Sequence, residues 1–147
     1  MIMKKIKLGY LAAAIVVVLV SSCVMKKQVE TTSTQITGKK WQLIEVGGKV
    51  ISEKVNGKMP YLELGTDGNY SANGGCNGIG GTYEWKKNEG IKFSRGMSTM
   101  MACKDMSAEY GLQNMFEKAD HYRVENNKLI FTQGNGTALA KFKMVAN

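Results

Sequence analysis

The chain has one histidine, three cysteines and no apolar run long enough to cross a bilayer, and each shortage removes a class of function. A lone His121 offers no imidazole cluster to a metal, and any hydrolytic triad would rest on that residue alone. Cys76 and Cys103 have no second cysteine two or three residues away, so metal-finger and dithiol redox spacings are missing. The longest apolar stretch, Leu8 to Val20, is 13 residues, whereas about 20 are needed to span roughly 30 Å of hydrocarbon. Phosphate-binding patterns are missing as well. The glycine-rich NGGCNGIGG of 73–81 lacks the Lys-Ser/Thr of a P-loop, and no GxGxxG opens a helix. The precursor carries formal charge +8, yet its basic residues form no aromatic-interleaved stripe, so nucleic acid is not an expected partner.

What is present begins with an export signal. MIMKKIK supplies three lysines and no acid, Leu8 to Val20 supplies the apolar region, and Ser21 and Ser22 are small residues before Cys23. Val20-Ser21-Ser22-Cys23 resembles the bacterial lipobox, in which the signal is cut before the cysteine and the cysteine is acylated. Residues 1–22 are therefore expected to be removed, leaving Cys23 lipidated at the mature amino terminus. Two or more acyl chains hold a protein firmly on a membrane, where one holds weakly. Val24 is not an acid, so the inner-membrane retention signal of enteric bacteria is missing and the outer membrane is the expected address. The mature chain keeps 17 basic residues (20 less Lys4, Lys5 and Lys7) against 12 acidic ones, a charge of +5. Lys26 and Lys27 either rest on anionic headgroups or belong to a solvated tether.

Residues 24 to about 38 show no steady apolar period and read as a flexible tether, leaving one domain over 39–147. Turn dipeptides punctuate that domain: Gly47-Gly48, Asn56-Gly57, Asp67-Gly68, Asn88-Glu89-Gly90, Asn126-Asn127 and Asn135-Gly136. Between them lie short alternating runs such as WQLIEV and ALAKFKM, the pattern of a chain of hairpins. Trp41, Leu43 and Glu45 are expected on one face of the first strand, and Pro60 suits a strand start or edge. One segment breaks the period. Leu112, Met115, Phe116 and Ala119 recur at helical spacing within Asp105 to about Lys118, with Asp105 or Ser107 as candidate caps and Gly111 as a weak point. Once Cys23 is lipidated, Cys76 and Cys103 form an even pair in an oxidising compartment, which points to a disulfide. Two free thiols, one of them catalytic or metal-binding, are the alternative.

Trp41-Gln42-Leu43, then Gly75-Cys76-Asn77, then Thr99-x-Met101-x-Cys103, the helix with Glu109 and finally LIFTQGNGTALAKF follow in that order. This arrangement resembles the META/HslJ-like domain family of bacterial lipoproteins across about residues 38 to 144. The resemblance implies an α+β fold, an antiparallel β-rich partial barrel with one helix packed against it. It also implies a cell-envelope setting, since the family is named partly for heat-shock-inducible proteins linked to novobiocin resistance. The fold is similar to that of pilotins, which bind a secretin tail or lipid. Met100 departs from the pattern, because many relatives carry arginine there.

Four of the ten methionines, Met97, Met100, Met101 and Met106, fall in SRGMSTMMACKDM. Methionine is adaptable and suits surfaces that take varied partners, but core filling is the plainer explanation. Copper(I) binding lacks flanking histidines. Ser94, Ser98, Thr99 and Ser107 sit in no nucleophile elbow. Glu109 and Glu117 read as solvated helix charges, and Asn77 as bonding backbone within its own turn. The glycines of 73–81 read as permitting a strand kink and close backbone packing beside the cysteines. The expectation is a membrane-tethered, non-enzymatic envelope domain without cofactor or metal, acting in binding or in envelope maintenance under stress. A cleft between helix and sheet would take a peptide or lipid segment in the manner of a pilotin chaperone. A purely structural lipoprotein and a thiol-dependent enzyme are the alternatives.

Overall fold

Asparagine and glycine turns lay the chain out as successive hairpins. The computed structural model describes residues 35–134 and 136–146. Strand β1 (Lys40–Val46) turns at Gly47 and Gly48, both at positive φ, into β2 (Lys49–Val50). β3 (Tyr61–Leu64) turns through Gly68 into β4 (Asn69–Asn73), and β5 (Gly78–Lys86) turns at Asn88 and Glu89 into β6 (Gly90–Phe93). A two-residue β7 (Met97–Ser98) and helix α1 (Ser107–Lys118) follow. β8 (His121–Glu125) turns at Asn126 and Asn127 into β9 (Lys128–Thr132), and β10 (Ala138–Met144) ends the sheet.

Every pairing is antiparallel, and the ladder runs β2-β1-β3-β4-β5-β6-β8-β9-β10. β10 also pairs back onto β1, with Trp41 opposite Met144 and Leu43 opposite Phe142, which draws the sheet into a ring. The join between β6 and β8 is its narrowest point. Gly90 lies opposite His121 there, and Ile91 and Tyr122 donate their N–H groups to Asp120 and Glu89, each at 2.9 Å. The α+β class, the curled antiparallel sheet and, among the described residues, one long helix match the fold that the sequence resemblance implies.

Two local expectations shift. In β1 the register slips between Leu43 and Glu45, so Val46 turns to the core while Glu45 pairs with Lys141 at 2.9 Å. The packed domain also begins before residue 39. Ile36 is fully buried, its carbonyl accepts the Trp41 indole N–H at 2.8 Å, and Gly38 donates to Leu64. The signal segment, Cys23, Lys26 and Lys27 lie outside the described residues. Among the described residues no helix is long and apolar enough to cross a membrane.

Leu43, Leu62, Leu64, Phe131 and Phe142 form the ring's dry interior. Phe93 links it to the helix through Phe116, Tyr70 and Phe131 at centroid separations of 5.0, 5.2 and 5.6 Å. Helix α1 begins at Ser107, whose N–H is accepted by the Asp105 carboxylate at 2.8 Å. Leu112, Met115, Phe116 and Ala119 are buried, as their spacing predicts. Burying each of the larger of these side chains contributes about 2 kcal/mol.

Gly111 finds its reason in packing. A Cβ there would stand 2.6 Å from Val46 Cγ2, so the missing side chain lets α1 approach β1. Helix propensity favours Gly111→Ala by about 1 kcal/mol, but overpacking costs about 1–3 kcal/mol. The variant is expected to lower the urea midpoint. A raised midpoint would show that Val46 yields freely and that propensity decides.

Candidate functional site

Three stretches that are distant in sequence converge on Asn77. Gly74 and Gly75 make the approach possible: a Cβ on Gly74 would lie 2.5 Å from the Cα of Glu109, and Gly75 sits at φ +104 against Val55. The close-packing role expected of these glycines is what the structure uses. Asn77 itself was expected to bond within its own turn, and it does not. Its Oδ1 accepts the Thr99 hydroxyl at 2.9 Å and the Met101 N–H at 2.8 Å. Its Nδ2 donates to the Met101 carbonyl at 3.0 Å and to both Glu109 carboxylate oxygens at 3.0 and 3.2 Å. The Asn77 N–H adds a bond to Glu109 Oε2 at 3.0 Å. One neutral side chain thus closes the backbone polar groups of Met101 and half the needs of a carboxylate.

Glu109 is likewise no solvated helix charge. It is 2% exposed, in the first turn of α1, while Glu117 stays in solvent. Asn77 and the more distant Gln113 amide (3.5 Å) serve its oxygens, and the amino-terminal dipole of the helix favours its negative charge. Spacing could have revealed it, because Glu109, Leu112 and Phe116 fall at i, i+3 and i+7 on the buried stripe.

The same contacts hold the segment that carries the methionines. Met97 and Ser98 pair with Gly80 and Ile79, Thr99 donates to Gly78, and Cys103 is bonded to Cys76 with the two Cα atoms 5.9 Å apart. The backbone is anchored while the side chains turn outward. Met97 is 84% exposed, Met100 99% and Met101 53%, and Met106 is half-buried beside the helix start. Core filling therefore does not account for the first three. Arg95 and Lys104 flank this surface, and both are exposed.

A family model described as "META domain" matches residues 34–146. The chain belongs to the META domain family. Its fold is similar to an NMR structure of a protein from Burkholderia xenovorans, at 20% identity and a TM-score of 0.61, covering 86% of this chain and 96% of that one. A crystal structure of a DUF4847 family protein from Bacteroides vulgatus is similar at 13% identity and a TM-score of 0.53, covering 76% and 96%. At such identities the likeness concerns the fold. No curated protein matches the chain.

In this META domain the GCN and T-x-M-x-C elements are the two halves of one latch, joined by the Cys76–Cys103 disulfide that the cysteine arithmetic points to. The disulfide closes a loop with a sequence separation of 27, for which loop entropy gives about 3–4 kcal/mol. Pairing both sulfurs leaves neither available as the thiol of a thiol-dependent enzyme. Thr99 is committed to Asn77, and the Ser94 hydroxyl accepts the Thr82 N–H at 2.9 Å. His121 is partly exposed and bonds its neighbour Asp120 through Nδ1 at 2.7 Å. Asp120 also accepts the Gly134 N–H, and these two bonds, the histidine's first, hold its carboxyl below the ordinary range. A shallow depression of about 420 Å³ opens beside His121, between Glu89, Arg123 and Thr132. The interface between helix and sheet, where a cleft was expected, is filled by Leu112 and Met115, both fully buried.

Two outcomes follow from the latch. Asn77→Ala removes the side-chain amide donor of a buried carboxylate, leaving it the main-chain N–H of residue 77, and frees the Met101 backbone, with an expected loss of about 3 kcal/mol. Asn77→Asp sets a second carboxylate against Glu109 and is expected to cost more. Denaturant melts of both variants check this ordering, and a near-neutral Asn77→Ala would mean that the disulfide alone holds the segment. At the helix start, bonds from Ser107 hold the Asp105 carboxyl below its ordinary value of 3.8. Its folded-state value is thus the lower one, so its contribution is present above the unfolded value and lost as pH falls through the folded one. Asp105→Ala is therefore expected to lower the thermal midpoint at pH 7, with the difference from wild type shrinking as pH falls below 3.8. A gap that persists at acid pH would assign the effect to the Asp105 backbone, which Asn56 clamps from both sides.

Proposed function

We propose that this META domain protein is a lipoprotein of the bacterial envelope, anchored through acyl groups on Cys23, with the outer membrane as its address. The domain serves there as a non-enzymatic binding module in maintenance of the envelope under stress. Its contact surface is the segment bearing Met97, Met100 and Met101, and Met106 borders it. The partner is an envelope protein or lipid whose surface is apolar with acidic groups, complementing the thioethers, Arg95 and Lys104. The observation that carries this reading is the exposure of three methionines within five residues on a backbone that Asn77, β5 and the disulfide hold in place.

Two further features support it. The amino-terminal pattern from MIMKKIK to Cys23 is that of an acylated export signal. The described chain enters beside the β3–β4 turn, where Gly38 donates to Leu64, whereas the methionine segment stands at the β4–β5 turn. These are opposite ends of β4, so the first described residues and the methionines lie apart on the domain. A pilotin-like cleft under the helix has less support, because packed side chains fill that interface.

Two measurements test the reading. A clickable palmitate analogue is expected to label the wild type and to leave Cys23→Ala unlabelled and released from the membrane. A photo-crosslinking amino acid at Met100 is expected to capture one defined partner, and Met101→Lys is expected to reduce that capture at least about tenfold, or about 1.4 kcal/mol. Labelling that survives Cys23→Ala would overturn the anchor. Capture of only abundant envelope components, indifferent to Met101→Lys, would leave the domain a structural lipoprotein without a discrete ligand.

A further inference from the structure

The exposed methionines also have a chemistry of their own, independent of what docks on them. A thioether is oxidised by two-electron oxidants, and access to the sulfur governs where this happens. The described methionines span the whole range of access, from Met115, which is fully buried under α1, to Met100, which is in solvent. Cys76 and Cys103 are already paired, so the thioethers of the 97–101 segment are the reduced sulfurs that a dissolved oxidant meets there.

We propose that Met97, Met100 and Met101 form a reversible oxidation site for hydrogen peroxide and hypochlorous acid. The sulfur attacks the oxidant's terminal oxygen, a sulfur–oxygen bond forms, and the sulfur gives up two electrons. With hydrogen peroxide the oxygen–oxygen bond breaks and water leaves. With hypochlorous acid the oxygen–chlorine bond breaks and chloride and a proton leave. Methionine sulfoxide reductases reverse the step, oxidising two thiols to a disulfide and releasing the oxygen as water.

The structure insulates the fold from this modification. Asn77 holds Met101 by its main-chain N–H and carbonyl, and Met97 joins β5 by main-chain pairing. These side chains lie wholly or in large part in solvent, so a sulfoxide oxygen on them has water to bond. At Met115 the same oxygen would enter the dry interface with Leu112 and Phe116, where an unpaired polar group is costly. Oxidation therefore turns an apolar surface polar while the latch beneath it stays closed.

The test maps sulfoxide at each methionine by peptide mass spectrometry. Protein purified as cells make it is titrated with hydrogen peroxide and, separately, with hypochlorite. Met97, Met100 and Met101 are expected to oxidise at least about tenfold faster than Met115, with Met144 between them, and reductase treatment is expected to remove the added mass. The thermal midpoint is expected to stay unchanged after those three are converted. The triple variant Met97→Leu, Met100→Leu and Met101→Leu is expected to keep the wild-type midpoint and to lose the fast phase of oxidant consumption. Rates within about threefold of Met115, unfolding on conversion of the three, or sulfoxides that the reductases cannot reach would each overturn the proposal. None of these results depends on a docking partner, so the contact surface proposed above stands or falls separately.

Discussion

A carboxylate taken out of water must find donors, and in this fold nearly all of them come from one asparagine. Glu109 lies under the first turn of the helix with no cation beside it among the described residues, served by the backbone and side-chain amides of Asn77. The same asparagine satisfies both main-chain groups of Met101, so the helix start, the β4–β5 turn and the 97–103 segment hold a common position. The arrangement also requires Gly74, since a side chain there would strike Glu109. Glycine, asparagine and glutamate thus act as one unit, and the disulfide beside them limits how far the strands can part when the unit opens.

This division of labour leaves the interior closed and the methionine segment exposed. The ring of strands is filled by leucine, isoleucine and phenylalanine, and the helix adds Leu112, Met115 and Phe116 over it. On the outside, the 97–103 segment is held through the main chain of Met97, Thr99 and Met101 and through the disulfide, while its methionine side chains are exposed. Adaptable thioethers on an anchored backbone combine contact plasticity with little ordering of the main chain on binding.

Much of the fold was legible in the chain itself. Asn126-Asn127, Asn88-Glu89 and Gly47-Gly48 take the positive φ values that hairpins need, and Leu112, Met115, Phe116 and Ala119 bury the helical stripe that their spacing marks. The family likeness rested on the GCN and T-x-M-x-C elements, whose order along the chain is a local property. Their purpose was not legible. Asn77 bonds residues 24 and 32 positions away, beyond the reach of turn chemistry or helical period.

The exposure of the methionines illustrates the same limit. Met97, Met100 and Met101 look like core residues by composition, yet with Met97 paired to β5 and the Met101 main chain bonded to Asn77 their side chains are exposed. Sequence alone determined the hairpin order and the helix and pointed to the pairing of Cys76 with Cys103, because periodicity, turn preference and cysteine count act over short range; the bond itself is a fact of the tertiary structure. Tertiary structure alone decided that Glu109 is buried, that Asn77 closes the site and that the methionines face outward. Burial and hydrogen-bond satisfaction depend on which distant segments meet, and that is set when the ring closes.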